Sequence, residues 1–261
     1  MTLLLLKLIL VPVLIALVSL AGRRWGPSVA GWLAGLPLVG APLMFFLAVE
    51  QGPAFAADAA IGALVGLTGF AAFCLAYAWA AVYRPWPQAL ALAFLAFAVA
   101  FIAGAQIPKV GVFTALVLGA GCLVLGLALS PKARDDVRHQ PPRWELFARM
   151  GAAAVMVLLI TGLATMLGPR FTGLLVAFPT ATSVLAVSTH RSEGASATVR
   201  LLRGLAVGML RYCAFVAMFA NLVGSAGIGL ALGAGIMTAI TCHVIMLTAH
   251  RRFVPVRVKA A

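Results

Sequence analysis

Acidic residues are scarce in this chain, six Asp and Glu against nineteen Lys and Arg in 261 residues. No two carboxylates fall together inside an apolar stretch, which excludes a carboxylate-pair active site within a membrane. The four cysteines, Cys74, Cys122, Cys213 and Cys242, are isolated in apolar runs with no CxxC pair. That excludes a disulfide framework or a cysteine zinc site and leaves them as small apolar filler. HExxH, GxSxG, Walker and dinucleotide motifs are also missing, so neither an enzyme nor a metal or cofactor is expected. Charge of either sign makes up 10% of the chain and hydrophobic residues 64%, with a mean hydropathy of +1.10. Soluble domains are about 25% charged and about half apolar, so a soluble globular fold is excluded as well.

What is present is a succession of apolar stretches near the ~20 residues that cross a ~30 Å hydrocarbon layer as helix. Strands of alternating polarity do not occur, and only helices or closed barrels satisfy the backbone in lipid. The expected fold is an all-α polytopic membrane protein with nine spans, at 3–22, 28–49, 57–82, 88–106, 111–130, 146–167, 171–189, 200–222 and 227–249. The first span lacks the charged leader of a secretory signal and is expected to be retained.

The net charge of +13 invites nucleic acid as a partner, but its distribution argues for lipid. Numbering the loops by alternate sides puts fifteen basic residues on one side and only Lys7, Lys109 and Arg170 on the other. This is the positive-inside pattern. It predicts a multi-pass protein of a bacterial inner membrane, amino terminus outside and carboxyl terminus in the cytoplasm. The basic tail then serves orientation and contact with anionic lipid, and no nucleic-acid partner is expected. The sequence does not fix the oligomeric state, and a homodimer is compatible with it.

A shift of 142 positions lays "WGPSVAGWLAGLP", Trp25 to Pro37, on "LGPRFTGLLVAFP", Leu167 to Pro179, without a gap. Gly52 then meets Gly194, and Gly62 and Gly66 meet Gly204 and Gly208. Residues 1–106 form a first four-helix repeat and 146–249 a second. Between them, 107–145 supplies a joiner helix and a basic cytoplasmic loop in which His139 is solvated, and 250–261 is a basic tail. An odd number of helices between equivalent points inverts the second copy, an arrangement that secondary transporters use to build a solute site near mid-membrane.

Within the second repeat, Gly173, Phe178, Pro179, Thr180, Gly194 and Arg200 form a pattern that resembles the GlpM family of small four-helix bacterial inner-membrane proteins. The resemblance implies a fused, inverted pair of such units. The first repeat departs from it, with "GLPLVGAP" at the Phe-Pro-Thr position and Asp58 where Arg200 would fall.

The candidate site residues follow from what is unusual in lipid. Pro179 lacks an amide hydrogen and crowds the carbonyl four residues back, so it is expected to free the Leu175 carbonyl; Pro37 acts likewise on Leu33. Thr180, Thr182 and Ser183 follow the break, where they cap the second half-helix or line a cavity. Arg211, inside the eighth span, costs about 2.5 kcal/mol or more to insert and must face the interior or water. It either binds an anionic solute with the half-helix ends or braces freed carbonyls and the hydroxyls after Pro179. His243 either relays protons or bonds across a helix contact. Glu50 and Asp58 are either an acidic entrance for protons or solvated caps, and Gly62, Gly66, Gly69 and Gly229 to Gly235 are packing faces.

These expectations converge on a secondary transporter or permease for a small anionic solute. The substrate-contacting residues are Arg211, Thr180, Thr182, Ser183, Pro179 and Pro37, and the proton-coupling candidates are His243, Glu50 and Asp58. The alternative is a non-transporting membrane protein that assists assembly of a partner complex.

Overall fold

A computed structural model describes residues 6–7, 9–10, 12–14, 16–17, 24, 37, 39–132 and 143–253. Most of the first two expected spans, His139 and the end of the basic tail lie outside the described residues. Among the described residues every regular element is a helix: α1 (Gly40–Gln51), α2 (Pro53–Tyr83), α3 (Trp86–Gln106), α4 (Val112–Leu129), α5 (Arg143–Val176), α6 (Thr180–Glu193), α7 (Ala195–Leu222) and α8 (Ile228–Phe253).

Six stretches among the described residues are long and apolar enough to cross a membrane. They are α2, α3, α4, α7, the first part of α8 and a 44-residue run from Met150 to Glu193. The chain is a multi-pass helical membrane protein. Its outer surface fits that solvent: Leu95, Val99 and Ile102 project from α3 at 61–62% exposure, and Phe113 and Val117 project from α4. Large apolar side chains left outside a helical bundle are stable only where the surroundings are apolar too.

The core is built on α2, which packs against α3, α4, α5 and α7. Small residues let it do so. A side chain at Gly62 or Gly66 would run into the backbone of Arg170 or Leu174 on α5, and one at Gly119 of α4 into the Leu64 carbonyl. Close backbone approach through glycine is how membrane helices gain contact where no hydrophobic drive exists between them. In the second glycine series only Gly235 has such a neighbour, the Phe215 ring; Gly229 and Gly233 have open space around them.

The 44-residue run is interrupted twice. At Gly168, where the sequence predicts a turn, the backbone leaves helical geometry with φ 72° and ψ 169°, ahead of Pro169. Between α5 and α6 the helix stops at Val176 and restarts at Thr180. The break does not free the Leu175 carbonyl as expected from Pro179. That oxygen accepts from the Phe178 amide at 2.9 Å, and the Thr180 amide donates to the Phe178 carbonyl at 2.8 Å. A tighter turn has taken up the acceptor that proline would have orphaned.

The short helices α1 and α6 each hand over to a long helix through one glycine of nearly identical shape. Gly52 has φ 92° and ψ 162°, and Gly194 has φ 84° and ψ −173°. Both positive φ values lie where a Cβ is strained, which accounts for glycine at each corner.

Candidate functional site

Pro37 is buried, its carbonyl accepts from the Ala41 amide at 2.8 Å, and α1 starts at Gly40. A side chain at Gly40 would strike the ring of Tyr212 on α7. The missing Cβ therefore lets the start of α1 close directly on the ring. The helix also touches α8, so α1 has contacts with both α7 and α8.

Arg211 precedes Tyr212 near the middle of α7 and is bonded to Nδ1 of His243 on α8, which is buried. For the ring to accept there, His243 must be neutral at Nδ1, so the pair carries one positive charge. The Nε of Arg211 and the Tyr212 hydroxyl are buried without hydrogen-bond partners. Neither ion pair among the described residues involves Arg211. Residues 1–36 contain no Asp or Glu, so the first segment cannot supply a carboxylate either.

The residues after Pro179 have different surroundings. Phe178 stacks on Phe94 of α3 at 5.6 Å between ring centres and meets Phe97 edge-on at 5.2 Å. Thr180 has its hydroxyl buried without a partner, and Thr182 is buried. The Ser183 hydroxyl donates to the Thr180 carbonyl at 2.7 Å, and its amide donates to the Pro179 carbonyl at 2.8 Å. No hydroxyl caps the start of α6, in contrast to one expectation for these side chains. The hydrogen bonds of Arg211 run neither to Thr180 nor to Ser183, and its resolved bond is to His243.

Glu50 and Asp58 are each paired with a lysine, and Asp58 keeps solvent contact. Asp58 pairs with Lys109 at 2.9 Å. Glu50 pairs with Lys7 at 2.6 Å; the lysine also donates to the Thr161 hydroxyl at 2.8 Å and lies over the Phe46 ring. Lys7 is only 8% exposed, an arrangement the sequence reading missed. Its signal was a lone base early in an apolar run, which the charge count read only as a loop marker. His190 packs edge-on against Tyr77, with Nδ1 buried and without a hydrogen-bond partner.

No protein-family model, curated protein or solved structure matches the chain.

Proposed function

We propose that the protein is a secondary transporter or permease for a small anionic solute, bound at Arg211 near the start of α1. The observation that carries this reading is a half-buried guanidinium bonded to a histidine, its Nε buried without a partner and no ion pair to it among the described residues. A buried charge is expensive unless something compensates it, and an anion arriving at the site would do so. The opening turn of α1 adds a favourable dipole, with amides and partial positive charge directed toward the Tyr212 side. His243 fixes the guanidinium plane through Nδ1 and is available to follow the solute with a proton.

The inverted repeat belongs to the same proposal. Gly52 and Gly194 are 142 positions apart and share one backbone shape, as do the short and long helices on either side. Trp86 and Ile228, the first residues of α3 and α8, are separated by the same 142 positions. The packing is reciprocal as well, since α1 contacts α8 while α6 contacts α3, so each half-helix leans on the last helix of the other half. Crossed packing of this kind supports a pseudo-two-fold arrangement about α2 and α7, within which one half could rock on the other. The likeness to fused GlpM-type units rests on the same duplication.

The expected orientation in a bacterial inner membrane draws support from how the charges gather. Asp58, Lys109 and Arg170 meet at one end of the bundle, through Lys109 with Asp58 and Arg170 with the Gly104 carbonyl. Arg203 with the Leu127 carbonyl, and Arg191 over Trp86, lie at the opposite ends of α4 and α3. The end rich in base would face the cytoplasm.

A thermal-shift series on purified protein tests the reading, with lactate, succinate, phosphate and glycerol phosphate compared against choline. At least one anion should raise the midpoint of the wild type, and Arg211→Gln should abolish that rise. The variant itself should unfold no earlier than wild type, because it removes a half-buried cation that has no ion pair among the described residues. A response to choline alone would overturn the anion assignment. Full anion stabilisation in Arg211→Gln would leave the accessory-protein reading in its place.

A further inference from the structure

At the end of the bundle that carries Asp58, the α3–α4 loop, the first turns of α2 and the stretch after Gly168 enclose a cavity of about 290 Å³. Its floor is aliphatic, formed by Ile61, Val65 and Leu174. Asp58, Lys109 and Arg170 supply the charged groups of its lining. Asp58 is 36% and Lys109 80% exposed at the side chain, so the mouth is open to solvent.

The charges here do not cancel. Among the described residues this end holds three cations, Lys7, Lys109 and Arg170, and two carboxylates, Glu50 and Asp58. Lys7 is taken by Glu50 and Lys109 by Asp58. Arg170 is left over, and its NH2 donates at 3.3 Å to the Gly104 carbonyl, a neutral acceptor. A guanidinium has five donors in a planar fork that matches a carboxylate in two bonds, so one carbonyl leaves most of it unused. Beside that fork lies an apolar floor that can take a short hydrocarbon chain but offers nothing to a second charge.

We propose that this cavity binds a small aliphatic monocarboxylate, its head group on Arg170 and its chain over Ile61, Val65 and Leu174. The lysine already committed to Asp58 sets the limit on charge: a dianion would have to pull Lys109 away from that carboxylate. The site stands on its own geometry. Its use as the station through which solute approaches Arg211 rests on the transporter reading above.

Titration calorimetry on the purified full-length protein in detergent tests it, with butyrate, butyramide and butylammonium as probes. Butyrate should bind, and both analogues should bind about tenfold or more weakly, since each loses the charge-assisted bonds to the fork. Arg170→Gln should weaken butyrate by about tenfold to a hundredfold, whereas Arg203→Gln, at the opposite end of the bundle, should leave it unchanged. Ile61→Phe, which fills the floor without touching the fork, should weaken butyrate more than formate, and it keeps the test alive if Arg170→Gln does not fold. Butyrate binding with unchanged affinity and stoichiometry in Arg170→Gln, an equal loss in Arg203→Gln, or butyramide bound as tightly as butyrate would each overturn the site. Binding that behaves as expected in a protein that moves no anion across liposomes would support the site while removing the transporter reading.

Discussion

At the Pro179 break the chain turns inside a cluster of phenylalanines, Phe178 lying on Phe94 and against Phe97. After Pro37 the start of α1 meets Tyr212, which follows Arg211 of the Arg211–His243 pair in the chain. Under the shift of 142 positions, Arg211 and His243 correspond to Gly69 and Phe101, so the first half has a glycine and an aromatic where the second half has a charge and its partner. Gly69 is indeed occupied as a packing surface, with the Phe97 ring where its side chain would be. The two proline sites thus have different surroundings. Pro179 lies among packed phenylalanine rings, whereas the start of α1 after Pro37 lies on Tyr212, next in the chain to a cation with no ion pair among the described residues.

The largest effect should come from tightening the seal. Gly173→Val would drive a side chain into the Ala59 carbonyl and the Gly62 backbone, where neither neighbour can rotate away. A loss of about 3 kcal/mol is expected, read as a fall in the unfolding midpoint in detergent. The corresponding change at the other break, Gly40→Val, meets a tyrosine ring that can swing aside. It should lower the midpoint less and impair anion stabilisation more. Equal losses at the two glycines would erase the distinction. Phe178→Ala should follow at about 2 kcal/mol, below the usual range for a fully buried phenylalanine because this ring is only partly buried. The smallest effects belong to two of the unpartnered hydroxyls, those of Thr180 and Tyr212. Thr180→Val and Tyr212→Phe should each change stability by less than about 1 kcal/mol, in the stabilising direction, since no hydrogen bond is lost. Only Tyr212→Phe should weaken the anion response. An equal weakening in Thr180→Val would draw both breaks into one site.

Much of the fold was legible in composition, because lipid leaves the backbone so few solutions. The expected spans 88–106 and 111–130 correspond to α3, Trp86–Gln106, and α4, Val112–Leu129, within two residues. Gly168 turns where the repeat placed a loop. What the sequence could not resolve was partnership. Proline predicts that a carbonyl loses its regular donor, but not that the Phe178 amide replaces it at Leu175. Arg211 stood out as a charge in an apolar run, and His243 as a histidine in another. Their union depends on the relative rotation of α7 and α8, which no local pattern encodes. Lys7, Glu50 and Thr161 are farther apart still in the chain, and a charge at a span end looks the same whether it ends in water or on another helix. Arg170 was counted as a loop marker for the same reason.

The division of labour between the two breaks is tested most directly by anion counterflow in proteoliposomes, with radiolabelled lactate, succinate and phosphate, for wild type, Arg211→Gln and Phe178→Ala at equal amounts of folded protein. The account predicts that Arg211→Gln falls to the level of empty liposomes while Phe178→Ala, though less stable, moves the same anion as wild type at a comparable rate. Wild-type flux in Arg211→Gln, or flux lost in folded Phe178→Ala alone, would contradict it.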